Sequence, residues 1–193
     1  EGCTGLWSDE HERSLTDVLA GARKVAGNII FGIQIGHAGR KGPTQIPWQG
    51  GKPLAPDQAW EAMAPSPIPL PEGWPTPKEM TLADITQFKL DCIAATRRAL
   101  AAGVQVIQLH AAHGYLLHQF LSPVSNKRTD AYGGSIENRT RFLKEVMTAV
   151  CEEVGGPQCA IRISPVTPVN DASDEEPQPL FEHVAQFLGT LHL

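Results

Sequence analysis

Short apolar runs alternate with longer segments of helical period along most of the chain. The runs are partly β-branched and bounded by glycine or polar residues, which predicts buried strands at 28–36, 104–110 and 158–164. Capping residues and apolar positions three or four residues apart predict helices at 8–26, 81–102, 135–154 and 180–191. The predicted order is helix, strand, helix, strand, helix, strand, helix.

This strict alternation of helices and buried strands sets the fold class. It favours an α/β protein with parallel strands and right-handed crossovers, either an open doubly wound sheet or part of a (β/α)₈ TIM barrel. One stretch, 43–80, interrupts the pattern, because it holds ten of the 16 prolines and has no clear period. We interpret 43–80 as an ordered, Pro-rich excursion between the first strand and its helix, within a single domain spanning 1–193.

Composition and charge exclude several classes of protein. The net charge is −5 and the sequence pI is about 5.8, with no stripe of lysine or arginine, so we expect no nucleic-acid partner and no membrane partner. The apolar runs are too short to cross a bilayer, and no basic segment followed by an apolar one opens the sequence. The four cysteines, Cys3, Cys92, Cys151 and Cys159, show no C-x-x-C spacing, which indicates reduced thiols and a cytoplasmic protein.

Side chains alternate between the two faces of a strand, so residue parity sorts each predicted strand into two sets. One set is apolar in every strand and is expected to pack on the helices. The other contains Gln34, His110 and Arg162 among glycine, alanine and serine. Three polar groups around an open space suggest a flat ligand, because burying a cation or an imidazole without a partner is costly. The alternative is that Arg162 pairs with an internal carboxylate and Gln34 bonds to the backbone.

The segment His110-Ala-Ala-His113-Gly-Tyr115 lies where the second strand ends, and barrels hold their active sites at that end. The two imidazoles could form a metal pair, although no third ligand follows at a suitable spacing. They could instead be paired donors to a carbonyl or nitro oxygen, with Tyr115 as proton donor, or two ordinary loop histidines. The nearby segment 130–142 is interpreted as structural, since its glycine spacing fits neither a P-loop nor a dinucleotide site. We interpret 126–128 as a solvated or loop-pinning charge cluster and not as a phosphate site.

Six segments follow one another in a characteristic order. They are IQIGHAGR at 33–40, TPKEMT at 76–81, HAAHGYL at 110–116, LSPVSNKR at 121–128, YGGSIENR at 132–139 and RISP at 162–165. Together they resemble the Old Yellow Enzyme family, in its bacterial branch of xenobiotic-reductase-like and thermophilic-type ene-reductases. The resemblance covers essentially the whole chain, and six motifs in order are highly specific.

The resemblance implies a (β/α)₈ barrel that holds FMN, is reduced by NADPH or NADH, and then reduces the activated C=C bond of α,β-unsaturated carbonyl or related xenobiotic compounds. Gln34 matches the family glutamine that bonds the flavin pyrimidine ring, and Arg162 matches the arginine beside flavin N1 and O2. His110 and His113 match the pair that binds the carbonyl oxygen of this small-molecule substrate. Tyr115 matches the acid that protonates the α-carbon, and no metal is required.

We expect the chain to be an internal fragment of such an ene-reductase or NADPH dehydrogenase, with roughly three of the eight βα units of the barrel. The family's opening strand and the strands whose loops hold the FMN phosphate are not in the pattern, so the chain alone is expected to be inactive. Two alternatives stay open: a truncated, non-catalytic piece of such an enzyme, and a metal-dependent barrel hydrolase that uses His110 and His113. The sequence also leaves open the physiological substrate, the choice of NADPH or NADH, and whether the protein is a homo-oligomer.

Overall fold

A computed structural model describes residues 4–70, 73–167 and 169–193. Its α-helices are α1 (Asp9–Ala26), α2 (Leu82–Ala101), α3 (Leu116–Leu121), α4 (Ile136–Val154) and α5 (Pro177–Gly189). Its strands are β1 (Gly32–Ile35), β2 (Met63–Ala64), β3 (Lys78–Glu79), β4 (Val106–Ala111) and β5 (Cys159–Ile163), with short 3-10 helices at Gly39–Lys41, Pro47–Gln49 and Gly156–Gln158. Within these ranges, no helix has the length and apolarity that a membrane crossing needs.

The central sheet contains three parallel strands in the order β1-β4-β5. Its apolar side chains lie on one face and join the hydrophobic core, as Ile33, Ile107 and Leu109 illustrate. Helices α2 and α4 contact each other and the strands, so they cover this face. The predicted parallel α/β arrangement is therefore present. Helices α2 and α4 do not cover the opposite face of the sheet.

Helix starts follow the predicted capping residues. Ser8, Thr81 and Ser135 are the N-cap residues of α1, α2 and α4, and each side chain accepts a hydrogen bond from the backbone N–H three residues later. Thr81 also completes a capping box with Asp84, whose carboxylate accepts the Thr81 N–H at 2.9 Å. These contacts satisfy N–H groups that a helix leaves without partners in its first turn.

The strands are shorter than predicted because pairing, and not hydrophobicity, sets their ends. The first strand was predicted at 28–36, but β1 begins at Gly32, which pairs with Val106 at the start of β4.

Helix α5 begins at Pro177, three residues before the predicted start, since proline is well suited to the first turn of a helix. Helix α3 was not predicted, because all six of its residues are buried and no polar face marks a helical period.

The excursion at 43–80 is ordered by contacts with the segment after α3. It includes the parallel pair β2–β3 and the buried side chain of Met80. The guanidinium of Arg128 donates to Pro65 O at 3.0 Å and to Met80 O at 2.7 Å, and it pairs with Asp130 at 2.6 Å. Of the two interpretations of 126–128, a solvated or a loop-pinning cluster, the second therefore holds for Arg128, which is buried and binds the excursion.

The described cysteines are free thiols. Cys92 and Cys159 are buried, and burial raises the pKa of each to about 12, so both stay protonated at neutral pH. Cys151 is half-buried. Cys3 lies outside the described residues.

Candidate active site

The even-numbered residues of the central strands share one face of the sheet. Gln34 pairs with Gln108, and His110 pairs with Arg162. Paired residues of neighbouring parallel strands point to the same side, so these four lie on the face away from the helices. Gln34 and Arg162 are exposed on that face. The structure therefore brings the three predicted strand residues to one surface, as residue parity predicts.

Gln108 is a further member of this surface. Gln34 Nε2 donates a hydrogen bond to Gln108 Oε1 at 2.6 Å, so the partner of Gln34 is this side chain and not the backbone. Gln108 was not among the predicted site residues. It lies two residues before His110, so residue parity alone places it on the same face of β4. In the described part of the chain, no carboxylate lies within ion-pairing distance of Arg162. The alternative hypothesis, that Arg162 pairs with an internal carboxylate, is therefore not supported by the described residues.

His110 lies at the carboxyl end of β4 and is 6% exposed. Its ring centroid is 5.3 Å from that of His113 and 5.1 Å from that of Tyr115, so the three predicted side chains form one cluster. Neither ring nitrogen of His110 has a hydrogen-bond partner among the described residues. Burial lowers the pKa of His110, with smaller contributions from His113 and Arg162, so the ring is neutral at pH 7. A neutral imidazole can donate one N–H to an acceptor without the cost of a buried charge.

His113 and Tyr115 lie in the turn between β4 and α3, and side chains of α3 form hydrogen bonds with the backbone of this turn. His113 has a left-handed backbone with φ 54°. The N–H of Gly114 donates to Nδ1 of His118 at 3.0 Å, and Nε2 of Gln119 donates to the carbonyl of Gly114 at 2.7 Å. Both side chains belong to α3 and are buried. The helix that the sequence pattern missed is therefore what fixes the two predicted site residues.

Gln119 also connects this turn to the loop after β1. Its Nε2 donates to Ala38 O at 3.2 Å, and its Oε1 accepts the N–H of Arg40 at 3.3 Å. Gly39 has φ 60°, and a Cβ there would lie 2.2 Å from Gln119 Oε1, so any other residue would strain the backbone and displace the Gln119 amide. The loops after β1 and β4 are therefore one hydrogen-bonded unit at the same edge of the sheet.

The described ranges contain no group of three or more His, Cys, Asp or Glu side chains that could hold a metal ion. His110 and His113 are adjacent, but a catalytic zinc site needs three protein ligands. The described residues therefore give no support to the alternative of a metal-dependent hydrolase that uses His110 and His113.

Fold and site together define a class of protein: a parallel α/β fold with polar side chains on the sheet face away from the helices, here called the inner face, and with imidazoles at the carboxyl end of its central strand. The chain belongs to the NADH:flavin oxidoreductase / NADH oxidase family, whose profile matches residues 1–189.

Individual relatives agree with this assignment. The chain is 47% identical over 176 residues to an NADPH dehydrogenase of Geobacillus thermodenitrificans, covering 91% of this chain and 45% of that protein. It is 36% identical over 203 residues to a probable flavin mononucleotide-dependent alkene reductase of Leishmania infantum, covering 96% of this chain and 52% of that protein. The chain thus spans about half the length of the curated relatives it matches.

A solved structure supports the barrel. The old yellow enzyme homologue from Zymomonas mobilis superposes with a TM-score of 0.85 at 30% identity, covering 98% of this chain and 52% of that one. This confirms the prediction of a partial (β/α)₈ barrel within the Old Yellow Enzyme family.

Proposed function

We propose that the complete protein containing this chain is an FMN-dependent oxidoreductase that uses NADPH or NADH to reduce the activated C=C bond of α,β-unsaturated carbonyl or related xenobiotic compounds. Family membership and the names of the relatives support this proposal. The observation that carries it is His110, a buried imidazole with two nitrogens that lack partners among the described residues. Such a group is destabilising unless a ligand accepts its hydrogen bond.

The inner face of the sheet fits the flat ring of FMN. Gln34 and Arg162 would hold the pyrimidine edge of the ring, and the Gln34–Gln108 pair supplies further amide groups beside it. Gly32 and Gly36 leave space on this face, since neither carries a side chain. Bound FMN would supply the hydride. A fixed cation at Arg162 would favour negative charge on the ring, which is electrostatic preorganisation.

His110 and His113 would bind the carbonyl oxygen of the substrate. Two N–H donors withdraw electron density from the conjugated system and make its β-carbon a better acceptor of hydride. The pKa shift of His110 supports this role, because a lowered pKa keeps the ring a neutral donor. Tyr115, half-buried beside His110, would give its phenolic proton to the α-carbon.

Substitution of either histidine tests the proposal. His110→Ala or His113→Ala in the complete protein should lower kcat/KM for cyclohexenone by roughly 10²–10³ in an assay of NADPH oxidation, as expected for the loss of one oxyanion donor. His192→Ala removes an exposed imidazole and serves as the control. Full turnover in both site variants would exclude the assigned roles, and a purified protein without flavin absorbance would exclude the cofactor.

Two further features belong to the same proposal. A cytoplasmic location is supported by the reduced thiols, and cell fractionation would test it. Self-association is a separate hypothesis that light scattering of the complete protein would decide.

A further inference from the structure

The turn that carries His113 is held by a loop far away in sequence. Nδ2 of Asn170 donates a hydrogen bond to the backbone carbonyl of His113 at 2.8 Å, across 57 residues. Asn170 and Asp171 have φ of 56° and 45°, and His113 has φ of 54°. Left-handed backbone is uncommon outside glycine and persists only where surrounding contacts determine it. Two such segments, one after β4 and one after β5, therefore meet at this bond.

The two segments are also in close van der Waals contact. A Cβ added to Gly114 would lie 2.6 Å from Cβ of Asn170 and 3.2 Å from Cβ of Ala172. The loops approach this closely only because Gly114 has no side chain. A displacement at Asn170 is therefore passed directly to the turn beside His113.

The loop at 170–171 is itself fixed by a buried arginine. Arg40 is fully buried, and its Nη2 donates to Asn170 O at 3.0 Å and to Asp171 O at 2.7 Å. Its Nη1 donates to Ile68 O at 3.2 Å and to Pro69 O at 3.3 Å. One guanidinium thus joins the loop after β5 to the proline-rich excursion, and it offers donor directions that a lysine cannot.

We propose that Asn170 is a positioning residue for His113, and that Arg40 fixes Asn170 for this task. The inference rests on the proposed function of His113. Asn170 holds the backbone of His113 in its left-handed conformation, which keeps the imidazole beside that of His110. Neither Asn170 nor Arg40 contacts the reacting atoms in this scheme.

Two variants of the complete protein remove the donor and keep the backbone. Asn170→Asp and Asn170→Gly both tolerate left-handed φ but cannot donate to the His113 carbonyl. We expect Asn170→Gly to raise KM for cyclohexenone by roughly 3–10-fold, the range for one lost hydrogen bond, and Asn170→Asp by at least as much, because its carboxylate also repels the His113 carbonyl oxygen. Val169→Ala changes an exposed neighbour in the same loop and should stay within about twofold of wild type.

A double-mutant cycle separates positioning from general stability. If Asn170 acts through His113, then Asn170→Asp should have no further effect in a protein that already carries His113→Ala. Losses that add in both backgrounds would overturn the proposal. Measured midpoints of urea unfolding would identify a variant that fails to fold, and Asn170→Gly then completes the cycle in place of Asn170→Asp.

A second readout does not depend on activity. In ¹H–¹⁵N spectra of the holoprotein without substrate, Asn170→Asp and Arg40→Lys should shift the imidazole signals of His113 and leave those of the exposed His192 in place. Unchanged His113 signals in Asn170→Asp would overturn the positioning role, and unchanged signals in Arg40→Lys would overturn the role of Arg40. If the wild-type protein fails to reduce cyclohexenone, the proposed function fails, while these spectra still test the contact.

Discussion

His118 makes the stability of the site turn depend on pH. It lies in α3, is 3% exposed, and accepts the Gly114 N–H through Nδ1 at 3.0 Å. Burial, and secondarily the nearby His113 and His110, lower its pKa from 6.5 to about 4. Only a neutral ring can accept this hydrogen bond. Protonation of His118 would therefore release the turn that carries His113.

The size of the effect follows from the two pKa values. A histidine with a lowered folded pKa stabilises the protein above its unfolded pKa, and this stability is lost as pH falls towards the folded pKa. With 6.5 unfolded and about 4 folded, the loss starts near pH 6.5 and continues to about pH 4. Between pH 7.5 and 4.5 it comes to about 2.5 kcal/mol.

Urea unfolding at several pH values measures this contribution. His118→Gln keeps an acceptor for the Gly114 N–H but does not titrate, so wild type should lose about 2.5 kcal/mol more than the variant between pH 7.5 and 4.5. Other titrating groups, including His37, whose pKa burial also lowers, are present in both proteins and cancel in the difference. His192→Gln, at an exposed position, is the control and should follow wild type. Parallel curves for wild type and His118→Gln would refute the reasoning.

Three further substitutions give clear expectations by urea unfolding. Thr81→Ala removes the N-cap of α2 and should cost about 1 kcal/mol, and an unchanged midpoint would contradict the capping contact. His110→Leu should stabilise the apoprotein by about 1 kcal/mol while cyclohexenone reduction falls, because it removes two buried nitrogens that lack partners in the described structure; a less stable variant would argue against the idea. Gly114→Ala should cost about 2 kcal/mol, since its φ is 71° and the added Cβ would meet Asn170. Gly21→Ala, in open space within α1, is its control and should be neutral or stabilising.

Short-range features of the sequence were sufficient to predict the fold class. The capping signals at Ser8, Thr81 and Ser135 each mark the start of a helix, because an N-cap is decided by residues within one turn. Residue parity was enough to place Gln34 and Arg162 on one face, since alternation along a strand needs no long-range information.

Contacts between segments that are distant in the chain could not be predicted from the sequence. Helix α3 has only six residues and all of them are buried, so no exposed polar face separates it from a buried loop. The bond from Asn170 to His113 spans 57 residues, and that from Arg40 to Asp171 spans 131. Such pairs exist only after the strands have brought their carboxyl ends to one edge of the sheet. The candidate site residues could therefore be predicted from the sequence, while the residues that hold them in place could be identified only from the structure.

Hydrogen-bond satisfaction distinguishes His110 from the other buried polar residues of the described chain. Asn126 donates to Phe120 O and Tyr132 O and accepts the N–H of Arg128, so its donors and its acceptor are used within the fold. Four described residues have buried polar atoms without a partner, and only His110 among them has two. A fold that satisfies its buried amides yet leaves both imidazole nitrogens of one residue without partners keeps a cost of a few kcal/mol. An acceptor outside the described chain would satisfy the ring N–H and remove part of that cost, which is the physical reason for proposing a substrate oxygen at this position.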